Sequence, residues 1–234
     1  MLTIGSILFI ILAVLLGIIV ALFYDSYRRS PENPAVKSLW LTFVFIFAYA
    51  SILALSSILF SHQPLILAWG YNLSLFLGFI AIFSSLDLPI FTSNFRLQKF
   101  LPLITWSSAL ASAIILIIQI VDFRLPIVNS NGVIFWNLNP ISAWLTSIFI
   151  LAFAITWAYL AYDGGHLLDN FRLRWKLYIL GINMLALGLS AFFFFPAKNE
   201  ATSFVSFILI APAYLATIIV FLYFRLSPEK KVSG

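Results

Sequence analysis

Seven strongly apolar stretches, Leu2–Tyr24, Leu39–Phe60, Leu65–Phe91, Leu101–Val121, Ile141–Tyr162, Trp175–Phe195 and Ala201–Phe224, alternate along this chain with short polar segments. A helix rising 1.5 Å per residue needs about 20 apolar residues to cross about 30 Å of hydrocarbon, so each stretch has the length of one membrane span. Strands of a membrane barrel run ~10 residues with polar side chains alternating toward a lumen. No such alternation is present. The pattern predicts an all-α membrane protein, a seven-transmembrane helix bundle forming a single domain, with a short tail at 225–234.

The connections differ in kind. Asp25–Ser38, Thr92–Phe100 and Asp163–Arg174 are basic, Ser61–Pro64 and Pro196–Glu200 are tight, and Asp122–Pro140 is the longest. In that longest loop, two β-prone runs flank Asn129-Ser-Asn-Gly132. Asn and Gly tolerate the positive φ of hairpin turns, so a short β-hairpin is expected between the fourth and fifth helices. Asp163-Gly-Gly-His166 predicts a break in the fifth helix. Pro212 predicts a kink in the seventh, because it deletes a helix hydrogen bond. The spans before and after the fourth share no repeated motif, unlike those of internally symmetric transporters.

Charge assigns the sides. Arg28, Arg29, Lys37, Arg96, Lys99, Arg172, Arg174, Lys176, Arg225, Lys230 and Lys231 fall on one face of the seven spans, and only Arg124 and Lys198 on the other. Short cytoplasmic loops carry the excess of Lys and Arg, so the N-terminus is expected outside and the C-terminus in the cytoplasm. Hydrophobic residues make up 63% of the chain and charged ones 9%, against about 25% charged in a soluble domain. The net charge of +5 therefore belongs to loops beside a bilayer and implies no nucleic-acid partner. The chain has no cysteine, which excludes disulfides, thiolate metal sites and cysteine nucleophiles. Met1 to Tyr24 lacks a basic leading segment and a small-residue cleavage site, so it is expected to remain as a span.

Ionisable groups within a span are costly and mark candidate sites. Asp87 is placed in the last turn of the third span, where Arg96 or Lys99 could pair with it as a structural ion pair or it could relay protons. A second set, Tyr71, Asn72, Gln119, Asp122, Trp136, Asn137 and Trp144, lies at one level near the outer ends of the helices. If these converge they form a half-polar, half-aromatic ligand pocket under the hairpin. Interfacial aromatic belts and cross-helix amide bonds supply the same residues without a ligand. Arg172, Arg174 and Lys176 form either a lipid-headgroup anchor or a docking surface for a cytoplasmic partner. His62 and His166 lie in opposite loops, no lysine sits at a midplane, and hydrolase and nucleotide-binding motifs are missing. Neither a cofactor, a metal nor an enzymatic activity is expected.

The run Asp169-Asn-Phe-Arg-Leu-Arg-Trp-Lys-Leu-Tyr-Ile-Leu-Gly181 and the Gly132-x-x-x-Trp136 pattern before the fifth span resemble the seven-transmembrane N-terminal sensory region of bacterial histidine kinases. The outward N-terminus is similar too. The resemblance implies a sensory module of the bacterial inner membrane. Only 225–234 follow Phe224 in this sequence, so it implies signalling through a separate protein. The expected function is a non-enzymatic sensor or receptor-like module that binds a small or amphiphilic ligand near the outer leaflet. Its expected partners are the lipid bilayer and a cytoplasmic signalling protein or another membrane protein. A small-solute transporter and an accessory subunit of a larger membrane complex are the alternatives; Leu-, Ile- and Phe-rich midplanes weigh against transport.

Overall fold

A computed structural model describes residues 4–88, 99–130 and 133–226. Among the described residues seven helices run in chain order: α1 (Ile4–Arg29), α2 (Pro34–Leu59), α3 (Pro64–Leu86), α4 (Leu101–Val121), α5 (Pro140–His166), α6 (Phe171–Phe194) and α7 (Glu200–Leu226). All seven are long and apolar enough to cross a membrane. A two-stranded antiparallel sheet, β1 (Ile127–Val128) and β2 (Ile134–Phe135), lies between α4 and α5.

Four helices begin where an Asn cap places them, each earlier than hydropathy alone suggests. α2 starts at Pro34 rather than Leu39 because the Asn33 side chain accepts from the backbone N–H groups of Ala35 and Val36. Asn139 does the same for α5, and Asn170 starts α6 at Phe171 rather than Trp175. Asn199 accepts from Thr202 at the start of α7. An Asn cap satisfies an orphan amide, and Pro34 and Pro140 occupy the first helical position, where no N–H is needed.

Two expectations are corrected at helix ends. α3 stops at Leu86 rather than Phe91, three residues before Pro89, whose ring disfavours helical backbone in the residue ahead of it. Asp87 is consequently the exposed C-cap of α3 and lies outside the helix. Among the described residues it forms no ion pair; Arg96 lies outside them. The glycine pair at Gly164 and Gly165 does not break α5, which continues to His166. Gly165 instead admits the Tyr178 ring of α6, which would collide with any Cβ there.

Each helix packs on its sequence neighbours, and α7 closes the ring on α1. Small residues permit the closest approaches. A Cβ on Gly188 of α6 would lie 2.5 Å from that of Ala154 on α5, and one on Gly70 of α3 would strike Ser56 of α2. Without a hydrophobic drive between helices in lipid, such backbone proximity supplies the packing energy. At the basic end Asp25 holds Arg29 at 2.8 Å and Arg225 of α7 at 3.3 Å. α4 is the exception: it touches α3 and α5 only lightly, burying Ser108, Ser112, Ile115 and Gln119. Leu103, Trp106, Leu110, Ile117 and Val121 are exposed on its remaining surface.

The hairpin caps the opposite end. Asn129 is its organiser: its backbone pairs with Val133, its carbonyl-type side-chain oxygen accepts from the Val133 N–H at 2.8 Å, and its amide donates to Glu200 at the head of α7. Residues 131 and 132, the tip of the expected turn, lie outside the described residues. Val133, Ile134 and Trp136 are buried, the last two in one cluster with Phe9, Leu53, Leu67 and Tyr71.

Candidate functional site

Beneath the hairpin, Tyr71 and Asn72 of α3, Gln119 of α4 and Trp136 beyond β2 line one small cleft, with Ala68, Phe123, Arg124 and Leu138 completing it. Tyr71 and Asn72 are adjacent in α3, and Gln119 lies on the narrow inward stripe of α4 with Ser108, Ser112 and Ile115. The Trp136 ring stacks on Tyr71 at 4.9 Å and reaches Phe9 of α1 at 6.1 Å.

Polar chemistry in this cleft is unspent. The Tyr71 hydroxyl, the Asn72 side-chain oxygen, the Gln119 amide nitrogen and the Trp136 indole nitrogen are all buried without a hydrogen-bond partner. An unmade hydrogen bond of this kind costs about 1–3 kcal/mol, and all four residues border this one cleft. The set offers donors and acceptors together, which suits a hydroxyl or carbonyl-bearing group. The cleft itself is about 10 Å³ and holds on the order of one water.

The other expected members serve the cleft's frame or lie elsewhere. Asp122, the C-cap of α4, accepts from Arg124 at 2.8 and 3.1 Å and from the Asn139 amide at 2.6 Å. These bonds, Arg124 first, hold its carboxyl below the usual range. Because Asn139 also caps α5, the clasp joins the two feet of the hairpin loop. Asn137 has φ 48° and donates to the Leu125 carbonyl at 3.2 Å, bracing the same loop from its exposed side. Asn is among the few residues that adopt left-handed backbone readily. Trp144 is exposed, edge-on to Phe192 at 5.4 Å, on a different face of α5 from the buried Ser142, Ala143, Thr146 and Ser147.

At the basic end, Arg174 donates to the Leu168 carbonyl at 2.7 and 3.1 Å, tying α6 to the turn that follows α5. Lys176 sits 5.2 Å above the Phe221 ring of α7. Both residues therefore brace the bundle. Among the described residues no three His, Asp or Glu side chains gather as a metal site.

Residue chemistry also escaped notice in the sequence. A larger, partly open cavity of about 110 Å³ lies among α1, α2, α3, α5, α6 and α7. Its signal is the small residues on facing helices, Ala50, Gly78, Ala81, Ala154 and Ala191, which leave space where larger side chains would meet.

Seven apolar helices closed into a ring define a multi-pass membrane protein. Compared with protein-family models, curated proteins and solved structures, the chain matches none.

Proposed function

We propose that this protein is a non-enzymatic, receptor-like membrane module that binds a small amphiphile at its hairpin end, with that end facing outward from a bacterial inner membrane. The observation that carries the reading is that four residues with buried, unpartnered polar atoms, Tyr71, Asn72, Gln119 and Trp136, line one cleft. The reading requires the cleft to widen along α4, the most lightly held helix, below the Asp122–Asn139 clasp at its end. Apolar chain can then lie along the exposed surface of α4 and α3 in the bilayer. Transport of a polar solute is disfavoured because no Asp, Glu, Lys, Arg or His lines the internal cavity. The sensory-kinase resemblance of 169–181 supports a signalling role.

A monoglyceride carries both hydroxyls and a carbonyl, so 1-decanoylglycerol serves as the probe. Its addition is expected to raise the melting temperature of the purified protein, and to do so much less in the double variant Asn72→Leu, Gln119→Leu. Equal shifts in both proteins would place the effect in the micelle and remove the reading, as would a cleft that holds one ordered water under saturating probe.

Orientation rests on the asymmetry of Lys and Arg. A reporter fused after Gly234 is expected in the cytoplasm and one inserted at Asn131 outside. The reverse result would turn the cleft toward the inner leaflet.

A further inference from the structure

The internal cavity shares no lining residue with the outer cleft. Phe9 separates the two: its ring meets Trp136 on the cleft side and Phe194 and Phe207, at 6.0 and 5.4 Å, on the cavity side. The walls are apolar, and wall residues such as Leu75, Ala81 and Ala154 are buried. What hydroxyls line it are largely turned away. Thr42 donates to the Ser38 carbonyl at 2.9 Å, Ser85 to Ile82 at 2.7 Å and Ser206 to Ser203 at 2.6 Å, each within its own helix. Tyr49 and Ser190 supply the remaining hydroxyls, and no charged side chain contributes.

A water needs two to four polar partners to occupy a buried space, and an apolar cavity of roughly 150 Å³ elsewhere stays dry and takes up benzene or xenon. At about 110 Å³, partly open and walled almost wholly by apolar side chains, with three of its five hydroxyls bonded within their own helices, this space has a similarly apolar character. We infer that the cavity is a binding site for one apolar hydrocarbon group, a ring or chain end of about benzene size, held between the two halves of the bundle. The site uses residues from α1, α2, α3, α5, α6 and α7, so an occupant touches every helix except α4. It is independent of the amphiphile reading of the outer cleft.

The test is fluorine NMR of fluorobenzene added to the purified protein in detergent. Wild type is expected to show a bound resonance distinct from the micelle-dissolved probe. Filling the space with Ala50→Leu and Ala191→Leu together should abolish that resonance, with thermal unfolding used to confirm a folded protein. Ile210→Ala enlarges the same space and should strengthen binding several-fold. Should the filled variant fail to fold, the enlarged one decides, and binding no tighter than wild type overturns the inference. So does a wild-type spectrum with micelle-dissolved probe only, or a bound resonance that survives filling. Repeating the titration in phosphatidylcholine nanodiscs separates the two hydrocarbon sources. A weakened resonance identifies lipid chain ends as competing occupants, and an unchanged one identifies a free apolar molecule; both are results of a hydrocarbon site.

Discussion

Gly188→Leu is expected to cost the bundle on the order of 3 kcal/mol or more, the top of the usual range for overpacking a well-packed contact. The reason is geometric. A Cβ at this position of α6 would stand 2.5 Å from the Ala154 Cβ and 3.2 Å from the Leu151 Cα, so part of the obstruction is backbone and cannot rotate aside. α5 and α6 would have to separate along the most extensive helix contact in the protein. Gly164→Ala supplies the control on the same pair of helices, since its Cβ would meet only a Leu177 methyl at 3.6 Å. That change should be neutral or gain up to about 1 kcal/mol from helix propensity. Unfolding in mixed dodecylmaltoside and SDS micelles reads both. A Gly188→Leu protein as resistant to SDS as wild type would mean that α5 and α6 do not approach as described.

Asn183→Asp should be the most damaging substitution that leaves side-chain volume unchanged. The Asn183 amide of α6 donates to the Thr217 hydroxyl of α7 at 2.9 Å, and Thr217 donates onward to the Ala213 carbonyl at 3.0 Å. Both side chains are buried. A carboxylate here loses the donor that joins the helices and places a charge inside a span, which costs about 2.5–3.5 kcal/mol on insertion scales. Asn183→Leu removes the bond without adding charge and should cost only about 0.6–2 kcal/mol, the range for interhelical hydrogen bonds in bilayers. The same micelle unfolding experiment ranks the three proteins. If the Asp variant proved no weaker than the Leu variant, water must reach Asn183, and the seam between α6 and α7 would not be dry.

Depth was legible in the sequence and rotation was not. Counting 1.5 Å per residue put Tyr71, Asn72, Gln119 and Trp144 at one level, but only the roll of each helix decides which side chain faces inward. Gln119 faces in because the polar stripe of α4 does, whereas Trp144 faces out beside a buried neighbour, Ala143. The hairpin was legible because Asn and Gly mark turns chemically. Helix starts were misplaced because hydropathy measures lipid solubility, while the first turn answers to an Asn side chain and a proline ring. Gly165 misled for a related reason: glycine signals either a break or a close approach, and only the Tyr178 ring opposite tells which. The internal cavity left only an indirect signal, the small residues Ala50, Gly78, Ala81, Ala154 and Ala191, whose missing atoms make the space.

The hairpin has a consequence for what could fill that cavity. Its base is clasped by Asp122 and Asn139, its turn is tied to Glu200, and Ile134 and Trp136 are wedged into the helix ends. The hairpin thereby covers this end of the bundle, and for an apolar pocket among membrane-spanning helices the neighbouring reservoir is the hydrocarbon of the bilayer. For an occupant drawn from that reservoir, saturation is governed by abundance within the membrane rather than in water. Apolar molecules partition strongly into lipid, so by mass action even a weak preference for the protein interior over a neighbouring acyl chain keeps the space filled. Selectivity at such a site would come from the shape of the alanine- and phenylalanine-lined walls, with affinity contributing little.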